Sequence, residues 1–388
     1  MARRADGCRT ENTSLAKRTM SLPLTSTERI ARILKHQSVD RVGLFEVFWR
    51  ETAKKWADEG LYREPAEVSD HFGLDLRRSN GEITPPYATL LNMAGSIDVN
   101  EVVEETETTK LVRDGNGALL RWRKDQSGAA EHVDFLVKKQ ADWEEHIRPG
   151  LADKSLYERR IDFKLYREGR AKCGRFFTCG VVGAFDQMSP VCGHENLLVG
   201  MAMEPEWVRA MVDLYVTATL EMLEILFARE GLPDGMWVWD DLGFKRRPFM
   251  SPAMYKELIF PGHKRLFDFA HAHALPVILH ADGLVEPLVP GLIEAGLDCL
   301  QPIEVKAGMD LVKMKSKFGE RLAFIGGMDA RELISNDLGR VRRELEAKLP
   351  AAMAGSGYIL QVDHSVPSQV NYETYRYFVE KGVEMGTY

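Results

Sequence analysis

LPVILHADG (275–283) is the stretch that decides the fold. A proline opens it, three aliphatic residues (Val277, Ile278, Leu279) follow without a polar interruption, and His280 ends the run before Asp282-Gly283 turns the chain. A run this short and this uniformly apolar reads as a strand buried on both faces. The same texture recurs at FFTCG (176–180), MWVWD (236–240), DCLQP (298–302), LAFIGG (322–327) and YILQVD (358–363), with long helical patterns such as 205–229 and 252–274 between them. Buried strands alternating with helices imply a parallel sheet. Nearly every strand ends at, or just before, a polar residue: Glu46, Asp240 with Asp241, His280, Gln301, Asp329, and Asp363 with His364. A closed barrel gathers such strand ends at one mouth. A doubly wound sheet gathers ligands at one switch point, and no G-x-G-x-x-G follows the first strand. The expected architecture is a single (β/α)8 TIM-type barrel over residues 25–388.

Working outward, VGLFEVF (42–48) reads as the first strand, and Ser26-Thr27-Glu28-Arg29 as a capped helix start before Ile30, Ile33 and Leu34. Residues 100–142 alternate in polarity around Asp114-Gly115-Asn116-Gly117, a strong hairpin signal, and read as an antiparallel insertion beside the barrel. Residues 1–24 read as a flexible extension, basic and polar at the start and without the apolar core of a secretory signal. The 388 residues are 45% apolar and 28% charged, the balance of a globular enzyme, and the formal charge of −7 argues against a nucleic-acid partner. No uncharged apolar run is long enough to suggest a membrane span. The five cysteines (Cys8, Cys173, Cys179, Cys192, Cys299) are scattered and form no C-x-x-C pair, so a cytoplasmic location is expected and no chemistry is assigned to them.

His280 and Asp282 stand two apart on an extended segment, so both side chains can reach one ion. Alone, the pair reads first as a strand-end histidine beside an Asx turn. Asp363-His364 ends another strand, and two imidazoles plus one carboxylate suit Zn²⁺, Fe²⁺ or another divalent ion; without a metal the same trio serves as acid and base. Asp240 and Asp241 are adjacent on a strand, so at most one enters the mouth directly; Asp241 is the candidate base, ligand or anchor. The alternative has one acid capping the next segment and the other pairing with Lys245, Arg246 or Arg247. Glu46 is a further catalytic candidate, with a structural salt bridge as its other reading. Trp49, Arg50, Trp239, Gln301 and Asp329 are candidates for substrate contact, although Trp239, like Trp237, also reads as core. Met201, Met203, Met211 and Met222 read as packing. His271 and His273 cannot share a helical face and are expected at the surface.

Taken in order, WDDLG (239–243), SPAMYKELIFPGHKR (251–265), LPVILHADG (275–283), IEAGLDCLQPIEVKAGMDL (293–311), FIGGMDAREL (324–333) and VDHSVPSQV (362–370) resemble the uroporphyrinogen decarboxylase superfamily. That group of (β/α)8 barrels also holds corrinoid-linked methyltransferases. DRVGLFEVFW (40–49) and GVVGAFDQMSPVCGHENLL (180–198) extend the resemblance over most of residues 25–385. True decarboxylases of the family carry Arg-Gln-Ala-Gly-Arg and Phe-Ser-Asp segments. Here the corresponding regions read FEVFWRETAKKWADEG (45–60) and HFGLDLRRSN (71–80), with Arg50 and Asp75 as distant stand-ins. The methyltransferase branch binds zinc through a His-x-Cys pair and a later Cys. The resemblance places His280 on that histidine, Asp282 on the first cysteine and His364 near the second, a thiolate-free set for a divalent metal, zinc by analogy. Harder ligands leave more charge on the ion and favour polarising an oxygen over activating a thiol.

The resemblance implies a methyltransferase that draws on a corrinoid held by a separate partner protein and acts on a small methylated substrate, Asp241 or Glu46 orienting it. A cofactor-independent decarboxylase of uroporphyrinogen or a smaller acid, with His364 contacting substrate, is the alternative. A non-catalytic binding protein of the same fold is the third. A homodimer is a further expectation, left open by the sequence.

Overall fold

A computed structural model describes residues 23–84, 90–125, 130–172 and 174–388. The expected extension at 1–24 falls almost wholly outside the described residues. Eight strands build the central sheet: β1 (Gly43–Leu44), β2 (Leu76–Arg78), β3 (Phe176–Val182), β4 (Gly235–Trp239), β5 (Val277–His280), β6 (Cys299–Gln301), β7 (Ala323–Ile325) and β8 (Tyr358–Leu360). They run β1-β8-β7-β6-β5-β4-β3-β2, every neighbouring pair parallel, with helices between successive strands. This is the (β/α)8 barrel expected from the strand-and-helix alternation.

The end strands meet through a side chain. Asp75 donates its N–H to the Leu44 carbonyl at 2.8 Å, and its carboxylate accepts the Leu44 N–H at 2.9 Å. Arg29 and Arg41 hold the same carboxylate at 2.8 and 2.6 Å, and Arg29 also pairs with Asp40 at 2.7 Å. A buried acid is tolerable when its lone pairs are filled in this way. Asp75 is therefore a seam residue, which corrects its reading as a stand-in for a substrate-handling aspartate. The helix Ser26–Leu34, opened by a Thr25/Glu28 capping box, buries Ile30, Ile33 and Leu34 in one cluster with Phe45, Trp237, Ile278, Cys299 and Ile359.

VGLFEVF is not one strand. β1 stops after Leu44, and Phe48–Trp49 pairs instead with Ile83–Thr84. Glu46 lies at the break, where its own carboxyl accepts the Val47 N–H at 3.0 Å. The helical pattern at 252–274 likewise holds one π-turn, Tyr255–Ile259, before the helix Phe260–Ala272.

Within the expected insertion, four antiparallel strands occupy Glu101–Glu105, Thr109–Arg113, Leu119–Arg123 and Glu131–Asp134. Asp114 forms the hairpin turn by accepting the Asn116 and Ala118 N–H groups, both at 2.9 Å. Phe135, just beyond the last strand, lies on Gly193 in the helix Ala184–Met203; a Cβ at Gly193 would sit 2.5 Å from that ring. Gly193 has φ +78° and kinks the helix, so glycine is required twice over. Met201, Met211 and Met222 are core as expected, whereas Met203 is exposed. No helix among the described residues is long and apolar enough to cross a membrane. Cys179, Cys192 and Cys299 are buried free thiols, and burial pushes Cys192 up to about 12.

Candidate active site at the barrel mouth

The registers decide which side chains meet. Trp239, His280 and Gln301 are direct neighbours across β4, β5 and β6, so the sheet sets them side by side at the same level. Beyond their ends opens a cavity of about 550 Å³.

Asp240 and Asp241 part as strand geometry demands. Asp240 is fully buried and bonds His263 Nε2 at 2.7 Å, while His263 Nδ1 meets the Tyr255 hydroxyl at 2.9 Å. Asp241 turns into the cavity with its side chain 41% exposed. Its backbone N–H is accepted by Asp186 at 2.9 Å, and the Asp186 N–H by Asp240 at 2.7 Å. Asp241 in turn accepts the Asp282 N–H at 2.9 Å. These backbone-to-carboxylate bonds lock the loops after β3, β4 and β5 to one another. Gly283, at φ +83°, lets two of them touch: a Cβ there would lie 2.4 Å from the Gly243 carbonyl carbon.

His280 Nε2 faces Asp241 Oδ1 at 3.6 Å and Asp282 Oδ2 at 3.8 Å, and donor atoms of the three residues all lie within 4.8 Å of one another. His280 Nδ1 is tied to Gln301 Oε1 at 2.5 Å, and Gln301 Nε2 donates to Gln361 Oε1 at 2.9 Å. A ring whose Nδ1 is engaged by an accepting oxygen keeps its Nε2 lone pair for the cavity. Asp282 Oδ1 is buried without a hydrogen-bond partner. An orphaned carboxylate oxygen, a presented imidazole nitrogen and a second carboxylate form a hard, anionic donor set, which fits a divalent cation. Burial raises the Asp282 pKa and Asp241 adds to it, against the pull of His280 and His364. Burial, then Asp241 and Asp240, hold Asp186 well above the carboxylate range.

His364 lines the same cavity with its Nε2 3.8 Å from Asp282 Oδ2, so the two strand-end histidines do share the mouth. In the compact donor group, however, Asp241 stands third where His364 was expected. Trp49 lies along His364 with centroids 6.2 Å apart, and Trp49, Trp239 and Gln301 all line the cavity. Three other candidates do not. Arg50 is exposed at the start of the helix Arg50–Asp58, whose turn carries it away from Trp49. Asp329 caps the helix Ala330–Ile334 and pairs with Arg331 at 2.6 Å. Glu46 is fully buried behind the lining; it accepts from Val47 and Val362 backbone N–H groups and the Tyr375 hydroxyl, and burial pushes its pKa well up. Asp363 also points away, accepting the Val305 and Ala330 N–H groups at 2.9 Å each. His271 and His273 sit at or near the surface, as expected.

Sequence reasoning passed over Asp186, Gln361, Arg78 and Asn80, and the insertion residues Leu120, Trp122, Ala130 and His132, all of which line the cavity. Gln361 directly follows β8, so the rule that singled out Asp241 applied to it as well, whereas Asp186 lies in the first turn of the helix Ala184–Met203. The insertion residues carried no comparable signal, because nothing in an alternating hairpin says which face meets the barrel.

The model of the uroporphyrinogen decarboxylase family, URO-D, matches residues 170–384, more than half of the chain. The chain belongs to the uroporphyrinogen decarboxylase family. Among solved structures, a methyltransferase from Methanosarcina mazei is similar at TM-score 0.61 and 15% identity, over 93% of this chain and 99% of that one, a likeness of fold. Comparison by sequence with curated proteins returns no match.

Proposed function

We propose that the protein is a metal-dependent methyltransferase that takes a methyl group from a small, largely apolar substrate in concert with a corrinoid protein supplied separately. The observation that carries this reading is the Asp241–His280–Asp282 group at the polar side of a cavity also lined by Trp49, Trp122 and Trp239. The methyltransferase title of the similar Methanosarcina structure is consistent with it.

Asp241, His280 and Asp282 would hold the ion, and a divalent ion there supplies Lewis acidity toward an oxygen of the substrate. The chain does the rest. His280 is held in one tautomer by Gln301 and keeps Nε2 toward the cavity. Asp240 accepts the Asp186 N–H, Asp186 the Asp241 N–H and Asp241 the Asp282 N–H, so the two acids are placed before any ligand arrives. His364, beside Asp282, is positioned to exchange a proton with a demethylated product oxygen. The tryptophans and Leu90, Leu91, Met93 and Leu120 bind the apolar body of the substrate and exclude water around it.

Decarboxylation of a polycarboxylated tetrapyrrole has less support, because Arg78 is the one Arg or Lys among the described residues that line the cavity. The test is methyl transfer from a methyl ether donor to a cob(I)alamin-bearing acceptor, before and after dialysis against a chelator. Activity lost on chelation and regained with Zn²⁺ is the expected result. Undiminished transfer by metal-free protein, or metal-independent release of CO₂ from a porphyrinogen acid, would overturn the assignment.

A further inference from the structure

SPAMYKELIFPGHKR (251–265) lends no side chain to the cavity, yet it buries two polar ones, Tyr255 and His263, each 1% exposed. They stand eight positions apart, which in a regular helix leaves two side chains about 80° out of line. The π-turn removes that mismatch. In it the Phe260 N–H bonds the Tyr255 carbonyl five positions back, just before Pro261, which has no N–H to offer. With one residue absorbed, Tyr255 and His263 are spaced like residues seven apart, about 20° from alignment. The Tyr255 hydroxyl accordingly meets His263 Nδ1 at 2.9 Å.

From His263 the contacts run inward to the site without a gap. His263 Nε2 meets Asp240 Oδ2 at 2.7 Å, and Asp240 Oδ1 accepts the Asp186 N–H at 2.7 Å. Asp186 Oδ2 accepts the Asp241 N–H, and Asp241 Oδ1 the Asp282 N–H, both at 2.9 Å. Asp240 is fully buried, and a Cβ at Gly183 would lie 2.4 Å from its carboxyl carbon, so glycine makes the room for it. The two oxygens of a carboxyl group share one rigid plane. Whatever fixes Oδ2 therefore also aims Oδ1, whichever of His263 and Asp240 carries the proton between them.

We infer that His263 is a positioning residue: held by Tyr255, it aims Asp240 at Asp186 and so places the Asp241 and Asp282 carboxylates that face His280. The use of that placement by a metal rests on the proposed function; the placement itself does not. His263→Leu cuts the series, His263→Gln keeps a side-chain N–H for Asp240, and Tyr255→Phe removes the outermost link alone. In metal-free protein labelled with ¹⁵N-aspartate, hydrogen exchange of the Asp186, Asp241 and Asp282 amides reads the placement directly. His263→Leu should speed it about 10-fold relative to the Asp75 and Asp363 amides, which bond backbone carbonyls outside the series, and His263→Gln should largely restore it. Competition with a chromophoric chelator should show Zn²⁺ bound about 10- to 100-fold more weakly by His263→Leu, with most of the affinity kept in His263→Gln. Either readout unchanged in His263→Leu, or exchange quickened equally at Asp75 and Asp363, would overturn the inference. Should His263→Leu not fold, Tyr255→Phe decides: exchange of the three amides and release of Zn²⁺ are each expected to rise about 3-fold, and no change in either would overturn it. Should the native protein bind no Zn²⁺ while exchange at Asp241 and Asp282 follows His263, the proposed metal function fails and the positioning role stands.

Discussion

The two sides of the barrel mouth are built by different means. Around the ends of β4 and β5, polar side chains are fixed by backbone-to-carboxylate bonds that reach across to Asp186 beyond β3: Asp186 to Asp241, Asp241 to Asp282, Asp240 to Asp186. On the side of β1, β2 and β3, the wall is Trp49, Leu90, Leu91, Val181 and Val182, completed by Leu120, Trp122, Ala130 and His132 from the antiparallel sheet. Directional bonds place charges to a fraction of an ångström, whereas apolar walls set shape and tolerate exchange. Under the proposed function, the first side would carry the chemistry and the second the choice of substrate. Trp239 stands at the border, in register with His280 and with Val182.

Substitutions should separate the two sides. His280→Ala is expected to remove the metal and lower methyl transfer by at least about 10³-fold with the fold retained, since an ion's charge stabilisation is worth several kcal/mol; circular dichroism and metal content check both parts. At the far end of the barrel, Asp75→Ala should cost about 3–5 kcal/mol, because it leaves Arg29 and Arg41 without the acid they share. Denaturant unfolding measures it, and a loss of site metal without loss of stability would break the separation of seam from mouth. Trp122→Ala should raise KM by about 10-fold, on the order of the 0.5–1.5 kcal/mol of an aromatic contact, and leave zinc content unchanged. If zinc content fell instead, the division of labour would be wrong.

Two pH effects sharpen the same contrast. Asp282 is raised by burial, so protons compete with the metal at a higher pH than at an ordinary aspartate. Zinc affinity should therefore weaken as pH falls, beginning above the usual carboxylate range, with protons released on binding, as titration in buffers of different ionisation heat would show. At the seam the pKa shift, though not the direction of the loss with pH, is opposite. Burial alone would raise Asp40, but the hydrogen bond and charge of Arg29 outweigh it and hold the carboxyl at about 2. A depressed acid stabilises the fold above its unfolded pKa near 4, and that contribution is lost as pH falls from about 4 toward 2. Because Asp40 is partly exposed, the effect is the smallest of the set, and Asp40→Asn should flatten the acid limb of a stability–pH curve only slightly.

Much of this was legible in the sequence, for physical reasons that also mark its limit. Short uniformly apolar runs such as Val277–Leu279 can be buried on both faces only in a covered parallel sheet, so the barrel could be read directly. Polar residues at strand ends pointed to His280, Asp282, Asp241 and His364, which do share one cavity. The same rule misplaced Asp329, because a strand-end acid caps a following helix as readily as it faces a mouth. It also took Glu46 for a cavity residue, whereas its carboxyl is buried and turned back on the Val47 N–H at the break in VGLFEVF. That Asp241 rather than His364 comes within 4.8 Å of both His280 and Asp282 goes with loop contacts such as Gly243 against Gly283, which spacing along the chain does not encode.

Crystals grown with Zn²⁺ and measured at its absorption edge test the central claim most directly. A single anomalous peak about 2.0–2.2 Å from His280 Nε2, contacted by the carboxylates of Asp241 and Asp282, is the predicted result. No peak at the mouth of a folded, zinc-saturated protein, or one bound elsewhere, would contradict it.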